Sequence, residues 1–264
     1  MTSAIKGLMI AIPAAMVLWV QFAGAGTIPG ISSVQDMINL NAGGPADGVP
    51  QGGIVINGLR YYDFQYAGSG TSAPTSAQIQ VQTAPGPAGD NGLQFSFNWV
   101  SAGGSSNMDS TIRYKVHLES SVPTGSGLNR VGLFFDGDVP TGPVGTFAQV
   151  QETARDLNGL SCGTLGVFDD GAGPGTDVNQ TFLSIVPPQL DLDLSKAIRV
   201  NSTSSGVATI SIVDNTFRVG TADPNGVTAV PAPAAVAAGT MLLSALGVRK
   251  LLSRHSVIVT NKAH

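Results

Sequence analysis

Between residues 26 and 229, apolar and polar side chains alternate with a period of two in short runs, each bounded by clusters of Gly, Pro, Asn, Asp and Ser. Alternation of this kind puts one face of an extended segment in a core and the other in water, so the runs read as strands. In 77–82 three glutamines share one face. In 93–99, Leu93, Phe95, Phe97 and Trp99 share the apolar one. Ile112, Tyr114, Val116 and Leu118 alternate with Arg113, Lys115, His117 and Glu119, and Leu190, Leu192 and Leu194 with Asp191, Asp193 and Ser195. Further runs lie at 53–66, 130–136, 147–154, 164–169, 181–186, 197–202 and 206–219, for about ten to eleven strands in all. Helical spacing inside this body is confined to a short turn at 32–39.

Strands with one apolar face each need a second sheet to cover that face. The expected fold is therefore all-β: an antiparallel β-sandwich with Greek-key or jelly-roll connections. The 34 Gly and 16 Pro among 264 residues supply its turns. Roughly 200 residues is an ordinary size for one such domain.

Charge is scarce at 11% of residues, and it is unevenly placed. All 17 acidic residues fall between Asp36 and Asp223, together with only eight of the 13 basic ones. An acidic body disfavours nucleic acid as a partner, because phosphate neutralisation needs clustered Lys and Arg. The other five basic residues flank two apolar ends. Residues 1–25 carry Lys6, an apolar run and a small-residue close ending in Ala23 and Ala25, the order of a secretory signal peptide cleaved after Ala25. Near the other end, Val230, Pro231, Ala232, Pro233 and Ala234 introduce an uncharged stretch, 234–248, which Arg249, Lys250 and Arg254 follow. The stretch is small and apolar all round, as expected of a short transmembrane helix, and the basic cluster keeps its far side cytoplasmic. Residues 26–229 would then face outward, with 255–264 as a cytoplasmic tail.

The order of Pro motif, short span and basic cluster in 230–254 resembles the tripartite sorting signal of the PEP-CTERM family of exported bacterial proteins, in its Val-Pro-x-Pro-Ala form. Weaker likenesses to exported β-sandwich members lie at 57–64 and 194–200. The resemblance implies an envelope of the Gram-negative type. It also implies export machinery and an exosortase as partners, with transient anchoring in the inner membrane and then release or attachment at the cell surface. Members commonly accompany exopolysaccharide and biofilm systems.

Catalytic constellations are poorly supported. Cys162 is the single cysteine, so no internal disulfide can form. His117 is the only histidine of the body, and its parity puts it on a solvent face. No zinc site can be assembled from one His and one Cys without carboxylates from elsewhere, and nothing selects an acid and base from 17 carboxylates. A non-enzymatic structural or interaction role at the cell surface or biofilm matrix is the leading expectation. The alternative is a carbohydrate-binding or adhesive module that meets extracellular polysaccharide. Tyr61 and Tyr62 are its candidate sugar-stacking residues, because one of two adjacent residues in a strand must face out. Asp169, Asp170 and Asp177 lie in a Gly-rich loop of a type that can hold structural calcium, and equally of a type that forms ordinary solvated turns.

Overall fold

The computed structural model describes residues 25–41, 52–70, 72–86, 90–103, 106–119, 123–140, 143–172 and 177–221. Among these, one short helix, α1 (Val34–Asn39), precedes eleven strands. The first are β1 (Ile54–Ile56), β2 (Leu59–Gly70), β3 (Gln80–Pro85), β4 (Asn91–Ala102) and β5 (Ser106–Leu118). Then come β6 (Ser126–Asp138), β7 (Phe147–Arg155), β8 (Ser161–Asp169), β9 (Gln180–Gln189), β10 (Asp191–Ser202) and β11 (Val207–Thr221).

The strands form two sheets, one of six in the order β1-β2-β5-β10-β7-β8 and one of five in the order β3-β4-β11-β6-β9. Every pairing between these strands is antiparallel. The molecule is an all-β, two-sheet antiparallel sandwich. The last two strands enter mid-sheet, β10 between β5 and β7 and β11 between β4 and β6, so both sheets close only when the end of the domain is in place. The expected signal and transmembrane helices lie outside the described residues. Among the described residues, no helix is long and apolar enough to cross a membrane.

Local chemistry explains the elements. Asn57 and Gly58 both take positive φ, and with Ile56 opposite Leu59 they close the two-residue β1–β2 hairpin that such a pair favours. Ser33 caps α1 in a reciprocal box with Asp36, whose Oδ2 accepts from the Ser32 and Ser33 N–H groups at 2.9 Å. In β10 the inward set is Leu192, Leu194, Lys196, Ile198, Val200 and Ser202, all buried. The core between the sheets is aromatic at its centre, where the Tyr114 and Phe64 rings stack at 4.9 Å between centroids. Trp99 is sealed in the core and donates through Nε1 to Ser110 Oγ at 3.1 Å, which ties one sheet to the other.

Candidate functional site

The outer face of the five-stranded sheet is set out in rows by its register. Gln82 lies opposite Gln94, Gln94 opposite Asp214, Asp214 opposite Phe134, and Phe134 opposite Gln180. One row along, Gly132 lies opposite Phe182, whose ring meets Phe134 edge to face at 5.4 Å. Gln94 Nε2 donates to Asp214 Oδ1 at 2.9 Å, and burial pushes the Asp214 carboxyl up to about 6. At the end of the face, the almost sealed Asp90 carboxylate receives Arg130 Nη2 at 2.5 Å and Arg218 Nε at 2.8 Å. The Arg130 guanidinium also rests 4.8 Å from the Phe182 ring centre.

Beside β3 the chain from Gly26 runs along the sheet edge. Thr83 N–H donates to Gly26 O at 2.9 Å and Val81 N–H to Ser32 O at 3.1 Å. Between these anchors, five residues (27–31) stand against Gln82 alone, so the surplus chain must arch away. A turn closed by Ile31 N–H to Ile28 O at 3.0 Å forms that arch. A cleft of about 570 Å³ opens there. Thr27, Ile31, Ser32 and Ser33 line one side; Ala77, Gln78, Gln80, Val81 and Gln82 line the other, with Phe97 among them. No lining side chain is charged. The Ser32 and Ser33 hydroxyls donate to Asp36 and Gln78 Oε1 accepts from Thr75, while Thr27, Gln80 and Gln82 add a hydroxyl and two amides, groups that can meet a neutral polyhydroxylated ligand. Because Gln82 belongs to both, the cleft continues into the amide row of the sheet.

The outer face of the six-stranded sheet is different: its charges meet one another. Arg113 pairs with Asp193 at 3.0 Å, Lys115 with Asp63 at 2.6 Å, His117 with Asp191 at 2.8 Å, and Arg60 with Glu119. Tyr62 stands on this face, half-buried, with its hydroxyl 3.5 Å from Asp191 Oδ1. Burial, then the nearby Asp191, pushes that phenol upward. Tyr61 is a correction to the expectation from sequence. It is fully buried in the core, 6.1 Å from the Phe217 ring centre, and cannot stack on a surface ligand. A bulge in β2 around Asp63, where φ is 55°, lets Phe64 face inward as well.

His117 is outward, as its parity requires. Cys162 is half-buried, and burial, then Asp156, raises its thiol. Asp169 spends its oxygens on the Val139 and Gly171 N–H groups at 3.0 and 2.8 Å, and Asp170 accepts from Ala172 N–H at 3.0 Å. Burial, then Asp169, raises the Asp177 carboxyl. Among the described residues, no group of three or more His, Cys, Asp or Glu is arranged to hold a metal ion. Ala25 opens the described chain. Ala23 and the sorting residues Val230, Pro231, Ala232, Pro233, Ala234, Arg249, Lys250 and Arg254 lie outside it.

The glutamine row and the cleft were not singled out as a site from sequence. The alternating glutamines of 77–82 were their only advance signal.

No family model matches the chain, and no curated protein matches it. Among solved structures it is similar to TmCBM61, solved in complex with beta-1,4-galactotriose, at 12% identity and a TM-score of 0.29, over 58% of this chain and 88% of that one. It is also similar to the xylan-binding module CBM15 (14% identity, TM-score 0.25, 62% and 98% covered). A third likeness is to the carbohydrate-binding module TmCBM27, described with specific mannan recognition (10% identity, TM-score 0.25, 61% and 98% covered). At such scores the chain's function is left to its own geometry.

Proposed function

We propose that the chain is an exported, non-catalytic β-sandwich that binds neutral polysaccharide at the cell surface or in the biofilm matrix, through the cleft beside β3 and the amide row it opens onto. The observation that carries this reading is the composition of the cleft: six amide or hydroxyl side chains and one aromatic ring, with no charge. Neutral sugars offer paired hydroxyls to amides and apolar ring faces to aromatics. The cleft walls carry no titratable side chain, and the carboxyl in the adjoining row, Asp214, is engaged by Gln94. Export by residues 1–25 and sorting by 230–254 through an exosortase would deliver such a module to its polysaccharide.

The test is affinity electrophoresis of the full chain in gels carrying neutral or acidic polysaccharides. A neutral polysaccharide is expected to retard the native chain. The double variant Gln80→Ala, Gln82→Ala should run as if no polysaccharide were present, while Tyr62→Ala should keep the native retardation. Absence of retardation in every gel would sink the reading, and so would loss of it in Tyr62→Ala alone. Mass spectrometry of the termini of envelope-bound and released forms tests the sorting; both intact ends on all forms would overturn it.

A further inference from the structure

The centre of the sandwich holds a polar cluster that a stable core does not require. Lys196 and Glu152 face each other across the β10–β7 pairing, both pointing inward, and both are 0% exposed. Asn215, also 0% exposed, reaches them from β11 in the other sheet. Lys196 Nζ lies 3.1 Å from Asn215 Oδ1 and is bonded to Glu152 Oε2. Asn215 Nδ2 donates to Glu152 Oε1 at 3.0 Å and to Gly132 O at 2.9 Å, and Tyr114 OH donates to Asn215 Oδ1.

Each atom stands where an amide-forming reaction needs it. The amine is the nucleophile and the Asn215 side-chain carbonyl carbon, one bond from Oδ1, is the electrophile. Nζ is held by a hydrogen bond to Oδ1, one bond away from that carbon. Tyr114 donates to the oxygen on which negative charge would develop. Glu152 touches both the nitrogen that must lose protons and the nitrogen that must leave. The surroundings are dry and aromatic, with Phe64, Tyr61 and Phe95 rings at 4.9, 6.3 and 5.9 Å from that of Tyr114. Burial lowers the Lys196 amine from its ordinary range, against the pull of Glu152, which moves it toward the neutral, reactive form.

We propose that Lys196 and Asn215 join in an autocatalytic isopeptide bond that staples the two sheets, with Glu152 as the proton carrier. Glu152 takes a proton from the Lys196 ammonium, and the neutral Nζ attacks Asn215 Cγ. The resulting tetrahedral centre, its oxygen held by Tyr114, expels Nδ2 as Glu152 moves a proton to it from Nζ. One C–N bond forms, one C–N bond breaks and ammonia leaves. Of the five hydrogens that began on the two nitrogens, three leave with ammonia, one stays on the new amide and one remains on Glu152. No oxidant or cofactor enters. A chain with one cysteine cannot staple its sheets by a disulfide, and this bond does so without one.

The test is tryptic mass mapping of the folded full chain, which is indifferent to how its ends are processed. Trypsin cuts at Arg155, Arg199 and Arg218 but passes an acylated Lys196, so a bonded Lys196 lies in peptide 156–199 and Asn215 in peptide 200–218, whereas a free Lys196 is itself cut to give 156–196 and 197–199. The expected product is a branched species joining the two, lighter than their sum by the mass of ammonia, about 17 Da. It should be missing from Asn215→Ala and from Glu152→Gln, the latter keeping the side chain's shape while removing the carboxylate. Separate unmodified peptides 156–196, 197–199 and 200–218 from the aged native protein would overturn the proposal even if neither variant folds. Loss of ammonia within a single linear peptide would overturn it too, and an undiminished branched species in Glu152→Gln would remove Glu152 from the role.

Discussion

Strands β5 and β10 carry ionisable side chains on both faces, and the two faces behave as different media. Outward, Arg113, Lys115, His117, Asp191 and Asp193 form pairs whose members stay partly in water; Arg113 keeps 48% of its side chain exposed. Inward, Tyr114 and Lys196 meet Glu152 and Asn215 with no exposure at all. Outside, solvent screens each pair, and the entropy of holding two long side chains offsets most of its attraction. Inside, each charge depends wholly on its partner, because removal from water costs several kcal/mol per ion. Burial, more than pairing, decides what an ion pair does in this molecule.

The largest effect expected from that difference comes from Glu152→Ala in an Asn215→Ala background, where no Lys196–Asn215 bond can form; it strands Lys196 as a buried ammonium and should cost about 3–5 kcal/mol in urea unfolding. Replacing both members by apolar residues, Lys196→Met with Glu152→Leu, should recover part of the loss, since no charge is then left dry. A double variant no more stable than the single one would show that burial is not the deciding variable. Asp90 separates burial from location. It lies on the outer face of the other sheet, yet its carboxylate is 1% exposed between Arg130 and Arg218. Asp90→Ala should cost about 1.5–3 kcal/mol, the range for hydrogen bonds to a charged group. A cost as small as that of an exposed pair would mean that location outweighs burial.

Much of this was legible in the chain. Period-two alternation located the strands, and the need to cover apolar faces implied the sandwich. Where reading failed, it failed at polar residues in inward positions. The alternation of β10 breaks at Lys196, so the sequence reads as two runs, 190–195 and 197–202, where one strand stands. A lysine at an inward parity is the very signal of the buried cluster, but a single sequence offers no partner for it, because Glu152 and Asn215 arrive from strands 44 and 19 positions away. Tyr61 and Tyr62 illustrate a second limit: parity says that one faces out without saying which. The cleft was illegible for a third reason, since its arch depends on residues 26–32 pairing with a strand some fifty positions later.

Asp214 sits between the two extremes, partly buried, with Gln94 as its hydrogen-bond partner and Lys196 on the far side of the sheet lowering its carboxyl slightly. Burial is the larger influence and raises the group from 3.8 to about 6. The folded protein therefore holds this proton more tightly than the unfolded chain. The stability it contributes is complete below about pH 4 and is lost as pH rises through about 6. Asp214→Asn keeps the shape and has no proton to exchange. The native-minus-variant stability should consequently fall between pH 4 and 7, with the variant gaining toward neutrality. A difference that stays level with pH would show that water reaches this carboxylate freely, and would place it with the exposed pairs.

The smallest effect belongs to the outer ladder. Arg113→Ala removes a pair to Asp193 that water already screens, and the expected cost is about 0.5 kcal/mol or less. Because Asp193 keeps a route to solvent, its carboxylate can rehydrate when the arginine goes, which Lys196 cannot do when Glu152 goes. Salt supplies the sharper measurement. The difference between native and Arg113→Ala should shrink further from low salt to about 1 M, where the screening length falls to about 3 Å. The cost of Glu152→Ala in the Asn215→Ala background should be unchanged over the same range, since ions do not enter the core. If both costs fell together with salt, the inner pair would have to be open to solvent, and the contrast between the two faces of β10 would vanish.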